Sequence, residues 1–411
     1  MLAITNIAEL VVVPPGPIRG RDMGNLRTIN DATITTENGR IVWFGHAGDI
    51  DIPAEAEVLD VHGGCVIPGL IDCHTHTVFA GSREDEFVKR LQGMSYAQIA
   101  EEGGGIKATV EAVRSASADE LIESAAPRLR RMLSYGVTTV EIKSGYGLTV
   151  PDEIKMLEAI KRLGEQTPVE LVASYLAAHT IPKEHTGRAD AYLDQVLAPE
   201  VLRLIVDEGL AEFADVFCER TAFSLEQSRR CLDACKAVGL APRLHADQIT
   251  QMGASSLAAE VGATSADHLE TVDEESLAAL REAGTVAVLL PACSLYLGVE
   301  QAPARKIIDA DLPVAVATDF NPGSCRVESL PLTLAIACTQ MRMTPTEALV
   351  ASTANAAAAL KRQDRIGAIA EGMHADLTVL DVPNHHRWLY EFGRNCVTTV
   401  IKEGRVIHRR R

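Results

Sequence analysis

The chain has 411 residues, 47% hydrophobic and 23% charged, which is enough for a large core plus an appendage and shows no sign of disorder. Its 39 basic and 56 acidic residues give a formal charge of −17, a surface that repels phosphate backbones and anionic lipid and argues against nucleic-acid or membrane partners. An anionic small molecule suits such a protein only beside a locally placed Arg or Lys.

The opening, MLAITNIAEL, lacks the basic start and apolar core of a secretion signal, and no run reaches the about 18 apolar residues of a membrane span. Nine scattered cysteines read as free thiols of a cytoplasmic protein, with Cys231 and Cys235 one helical turn apart. The first stretch alternates as β structure, and in ATITTENGRIVWFG two strand-like runs flank Asn38-Gly39, a hairpin signal because both residues tolerate positive φ.

Eight apolar strand candidates follow: CVIPGLIDCHTHT, GVTTVEIKSGYG, VELVASYLAAHT, EFADVFCE, APRLHADQ, ATSADHLE, TVAVLLPAC and LPVAVATDFNPG. Helical patterns such as DELIESAAPRLRRMLSYG and DEESLAALREAG separate them, which predicts an α/β fold, a (β/α)8 TIM-like barrel over 67–360. The chain closes on GMHADLTVLDV and NCVTTVIKEGRVIH, again β-like. Neither end buries a core alone, so 1–66 and 361–411 are expected to combine in one small β-sandwich.

Polar residues cluster where the barrel strands end. His74 and His76, two apart, project from one face of the first strand and can meet one ion. Alone, an HxH pair is weak evidence, and the bland reading is two polar residues at a strand end. His245 ends the fifth candidate, His268 the sixth and Asp319 the eighth, and five such groups on one rim make chance a poor explanation. Three imidazoles and a carboxylate suit Zn2+ or a similar ion with a position left for water, whose proton Asp319 can accept.

This pattern resembles the amidohydrolase superfamily over nearly the whole chain, with TANAAAALKRQDRIGAIAEGMHADLTVLD matching its return from barrel to sandwich. Several members bridge two metals with a carbamylated lysine from the fourth strand. Here that strand ends in Cys218-Glu219 and Lys143 lies on the second, so a single zinc or iron ion, divalent or trivalent, is expected per chain.

Finer similarity, in PGLIDCHTHTVFAGSREDEF, GGGI, VEIKSGYGL, YLAAHTIP, LHAD and TDFNPGS, is to the imidazolonepropionase family of histidine degradation. The family opens the ring of 4-imidazolone-5-propanoate to N-formimino-L-glutamate, and a homodimer is implied. The resemblance makes His74, His76, His245 and Asp319 the metal ligands and assigns catalysis to Asp319, His268 and His179. Arg83 would grip the propanoate with a bidentate fork, although from sequence alone a surface ion pair with Glu84 or Asp85 is the stronger reading. Tyr146 and His179 would line the ring pocket, and Asn321, Gly323 and Ser324 would contact the product from a turn. Gln248, three residues after His245, can hydrogen-bond but not exchange a proton near neutrality, so it should orient the ring and leave acid–base work to Asp319 and His268. The rival is a deaminase of a nitrogen heterocycle on the same scaffold.

Overall fold

The computed structural model describes residues 1–94, 98, 102 and 104–410. Eight parallel strands form the barrel, hydrogen-bonded in chain order: β1 Leu70–Asp72, β2 Val137–Lys143, β3 Glu170–Ala178, β4 Phe213–Val216, β5 Ala241–Ala246, β6 Ser265–His268, β7 Val286–Leu289 and β8 Val314–Val316. Beyond the last ladder residues the ring closes through the Thr75–Phe320 bridge, where the Asp319 amide donates to the His74 carbonyl at 3.0 Å and the His76 amide to the Phe320 carbonyl at 2.8 Å. The two-residue side-chain period sends Val140 and Ile142 one way and Thr139, Glu141 and Lys143 the other, and all five are buried.

Helices between the strands start and stop on local chemistry. Ser117 caps Ala118–Ser134 by accepting the Glu120 amide at 3.2 Å, while the Glu120 carboxylate accepts the Ser117 amide at 2.8 Å. Leu121, Ala125, Leu129 and Met132 form its buried stripe. Asp273 caps Glu274–Ala283, and Gly284 ends it at φ +74. No helix among the described residues is long and apolar enough to cross a membrane.

Both chain ends join in a second sheet, as expected. Its order is Arg405–Arg409, Val397–Lys402, Leu377–Leu380, Cys65–Pro68, Leu2–Val12, Arg27–Glu37, Arg40–His46, with Glu57–Asp60 also paired to Leu2–Val12. The Asn38-Gly39 hairpin is present, with both residues at positive φ and Glu37 opposite Arg40. The expected sandwich is realised as one continuous sheet. A register shift between Ile4 and Ile7 lets the first strand carry two neighbours on one edge, and the sheet curls until Arg40 bridges His374. Ile4, Ile34, Ile41, Leu377, Val379 and Ile401 pack inside it.

The sheet runs through Pro68, two residues beyond the expected boundary at 66. Gly69 then turns the chain into β1: its amide donates to the Asp376 carbonyl at 2.8 Å, and a Cβ there would sit 2.5 Å from Thr138 Oγ1. The first strand candidate therefore supplies both sheets.

Candidate active site and metal centre

At the C-terminal mouth the strand ends bring His74, His76, His245, His268 and Asp319 together, all buried. Asp319 Oδ1 lies 3.6 Å from Nε2 of both His74 and His76. The His245 ring is centred 4.6 Å from that of His74 and 5.2 Å from that of His268. Donor atoms of His74, His76 and Asp319 fall within 4.8 Å of one another, as do those of His74, His245 and His268. Nε2 of His74 and of His245 is buried with no hydrogen-bond partner among the described residues, the condition of a lone pair aimed at a cation. The donor set fits a metal. Burial, then Lys143 for His74 and His179 for His76, holds both imidazoles well below the ordinary histidine range, leaving them neutral and able to ligate.

Carboxylates beneath this layer fix the rings. His74 Nδ1 donates to Asp267 Oδ2 at 2.6 Å and His245 Nδ1 to Asp215 Oδ1 at 3.0 Å, which turns each Nε2 to the mouth. Arg243, fully buried, donates to Asp267 Oδ2 at 2.9 Å and to the Cys73 carbonyl at 2.8 Å. Lys143 Nζ lies 2.8 Å from both Glu141 Oε1 and Asp215 Oδ2. Burial works to raise Asp215 and Asp267, but His245 and Lys143 outweigh it at the first and Arg243 and Lys143 at the second, so both stay below the usual carboxylate range. Burial and Arg243 pull Lys143 down, yet Asp215, Glu141 and Asp267 hold it above the ordinary lysine value. One layer lower, burial lifts Asp72 to about 7 against its hydrogen bonds from Thr318.

Two groups at the mouth titrate in opposite senses. Burial lowers His268, but Glu270 at 3.7 Å and then Asp319 outweigh it and raise the ring above its ordinary value. Burial followed by His245 drops His179 to about 3. His179 Nδ1 is 3.0 Å from the Gly145 carbonyl, which only accepts, so Nδ1 carries the proton and Nε2 is left as an acceptor. Its ring stacks on His76 at 5.1 Å and lies 5.3 Å from Tyr146, placing both expected ring-pocket residues against the ligands. His268 at φ 86 and Asp319 at φ 51 hold backbone that non-glycine residues rarely adopt, a strain found where side-chain direction matters.

Arg83 stands at the rim, just ahead of the helix Glu84–Leu91. Its ion-pair partner is Glu86, with Nε 2.9 Å and an Nη 2.8 Å from one carboxylate oxygen, rather than Glu84 or Asp85. One turn of helix brings position 86 back beneath 83, whereas 84 and 85 point away. The guanidinium lies against Gly323, where a Cβ would come within 1.9 Å of Nη1. Asn321 shapes that turn: its Oδ1 accepts the Gly323 and Ser324 amides at 2.9 and 2.7 Å, and its Nδ2 donates to Ser324 Oγ at 2.8 Å. Gln248 is half-buried after β5 and makes no hydrogen bond to these groups among the described residues. Its loop is pinned instead by Glu219, whose carboxylate accepts the Ile249 and Thr250 amides at 3.2 and 3.0 Å. Gly103 of the GGGI segment lies outside the described residues.

Asp215, Asp267, Glu86 and Glu270 escape the sequence reading. The one signal for Asp215 and Asp267 is a carboxylate set within a short buried strand, FADV and SADH.

A family model described as the amidohydrolase family matches residues 65–407. A curated imidazolonepropionase from Geobacillus sp. (strain WCH70) is 45% identical over 414 aligned residues, 99% of this chain and 97% of the relative. Among solved structures, a triazine hydrolase variant superposes with a TM-score of 0.77 at 20% identity, over 99% of this chain and 94% of that one. Atrazine chlorohydrolase from Arthrobacter aurescens TC1, solved with zinc, gives 0.74 at 18% identity over 99% and 95%. At such identities these two structures speak to the fold alone.

Proposed function

The chain belongs to the amidohydrolase family, and within it to the imidazolonepropionases, and from that premise we propose how its residues divide the work. The reaction hydrolyses the cyclic amide bond of 4-imidazolone-5-propanoate to N-formimino-L-glutamate in histidine degradation. The convergence of His74, His76 and Asp319 with the unpartnered Nε2 of His245 carries the reading of the site.

His74, His76, His245 and Asp319 hold one zinc or iron ion per chain. When bound, that ion lowers the pKa of a water towards neutrality and polarises the carbonyl under attack. A cation fits the local charge, because buried carboxylates, Glu141, Asp215, Asp267 and Asp319 among them, outnumber the buried cations Lys143 and Arg243. A second ion has no bridging lysine at the end of β4, where Cys218 and Glu219 stand.

Asp319 accepts the proton of the attacking water. His268, faced by Glu270 at 3.7 Å, steadies the developing oxyanion and is placed to return a proton to the departing ring nitrogen. His179 presents a neutral acceptor and with Tyr146 bounds the ring. Arg83 holds the propanoate, steered by Glu86 and by the open surface of Gly323. Asn321 keeps the 321–324 turn in shape, and Gln248 orients the ring.

The partners follow. An acidic protein with one aimed guanidinium takes a small anion rather than nucleic acid or membrane. Nine free cysteines suit the reducing cytoplasm, and the homodimer rests on the family likeness. Incubating the protein with 4-imidazolone-5-propanoate should remove the substrate's ultraviolet absorbance and yield formiminoglutamate. Ammonia release from a purine or pyrimidine, with the imidazolone untouched, would move the chain to the deaminases.

A further inference from the structure

Lys143 is fully buried, its amide donating to the Thr75 carbonyl at 2.9 Å. In the sequence it lies on the second barrel strand, the wrong one for a lysine that bridges two metals. The structure gives its Nζ three anionic neighbours instead, Glu141 and Asp215 at 2.8 Å and Asp267 Oδ2 at 3.9 Å. Such an ammonium is committed to its partners.

Two of those partners are the carboxylates that aim the ring nitrogens. Asp215 is divided, Oδ1 taking the His245 Nδ1 proton and Oδ2 facing Lys143. Asp267 Oδ2 takes the His74 proton and one Arg243 donor, with Lys143 a little farther off. A carboxylate held on one oxygen only can rotate and carry its histidine with it. Asp215, held on both, cannot, whereas Asp267 meets His74, Arg243 and Lys143 all on Oδ2. Buried ion pairs of this kind seldom add stability over a packed apolar core, so their presence calls for a positional reason.

We infer that Lys143 is a positioning residue, an ammonium that locks Asp215, the carboxylate aiming His245, through the oxygen that His245 leaves free. The inference rests on the reading that His245 holds the metal. It also predicts an asymmetry. His245 depends on Lys143 more than His74 does, because Asp267 keeps Arg243 when the ammonium is gone.

The test measures metal rather than turnover. Zn2+ affinity is read by competition with a chromophoric chelator, and the visible bands of the Co2+-loaded protein report ligand geometry. Lys143→Met should weaken Zn2+ by about 10–100-fold, the usual loss when an outer partner of a ligand is removed, and shift the Co2+ bands. Folded Lys143→Met with wild-type affinity and an unchanged spectrum overturns the inference.

If Lys143→Met does not fold, the charge-balanced Lys143→Met/Asp215→Asn pair is compared with Asp215→Asn alone. Removing the lysine should then cost less than about threefold, since its main partner is already neutral. A full 10–100-fold loss in that background also overturns it. His245→Ala tests the underlying reading separately. It should abolish tight Zn2+ binding, and retained affinity would sink the metal assignment itself, whatever Lys143 does.

Discussion

The barrel interior beneath the mouth and the core of the curled end sheet are equally buried and chemically opposite. The sheet core is aliphatic, built from Ile4, Ile34, Ile41, Leu377, Val379 and Ile401. The barrel interior instead buries Asp72, Glu141, Lys143, Asp215, Arg243 and Asp267. Each sheet side chain contributes roughly 1.5–3 kcal/mol by leaving water. A buried ion pair commonly does no better than the apolar residues that could replace it, which can be more stable by roughly 1–4 kcal/mol. The difference separates two jobs, with the sheet supplying stability and the barrel interior giving up stability to hold imidazoles in fixed directions.

Removing the stabilising region should have the largest effect. Deleting 361–411 takes away Leu377–Leu380, the strand that joins the two ends, and leaves the edge of Cys65–Pro68 open. No soluble protein is expected in a fractionated lysate, and a soluble, active truncation would break the contrast.

Next come His74→Ala and His245→Ala, with activity lost by on the order of 10³-fold or more, because the metal's contribution of several kcal/mol goes with the ligand. Leu377→Ala is the counterpart in the sheet. It should cost roughly 2–5 kcal/mol in chemical denaturation and leave kcat/KM near wild type. If Leu377→Ala damages turnover as much as folding, the two regions are not separate in function.

Arg83→Ala should lower kcat/KM by ~2–4 kcal/mol, and Arg83→Lys, which keeps charge but loses the fork, by less, with metal content unchanged in both. A substrate lacking the carboxylate should be handled equally poorly by wild type and Arg83→Ala. Equal damage on both substrates would make Arg83 structural or catalytic rather than a carboxylate clamp. The smallest effect belongs to Gln248→Glu, expected to change kcat/KM by less than about tenfold, or ~1.4 kcal/mol, across the pH range. A large gain with a new acidic limb in the profile would show that this position wants a base.

How much of this was legible depends on distance along the chain. The hairpin at Asn38-Gly39, the helix capped by Asp273 and the eight barrel strands follow from local spacing, and each is present. His74 and His76 could be paired on sight because they are two residues apart. Asp267 could not be matched to His74, which lies 193 residues away and meets it only when the barrel closes. Strict alternation along Ser265–His268 would also put Asp267 and His268 on opposite faces. The positive φ at His268 and Leu269 brings the imidazole to the mouth while Asp267 stays beneath, and no periodicity predicts it. For Arg83, sequence offered Glu84 or Asp85 as the bland alternative, and helix geometry chose Glu86.

The central claim, one metal-activated water per chain, is most directly tested by restoring activity to chelator-stripped protein. Zn2+ is added in fractions of an equivalent, and the initial loss of imidazolone absorbance is recorded after each addition. The rate should start near zero, climb linearly and stop rising at one equivalent per chain. A break at two equivalents, or full turnover by protein shown to be metal-free, would contradict the account.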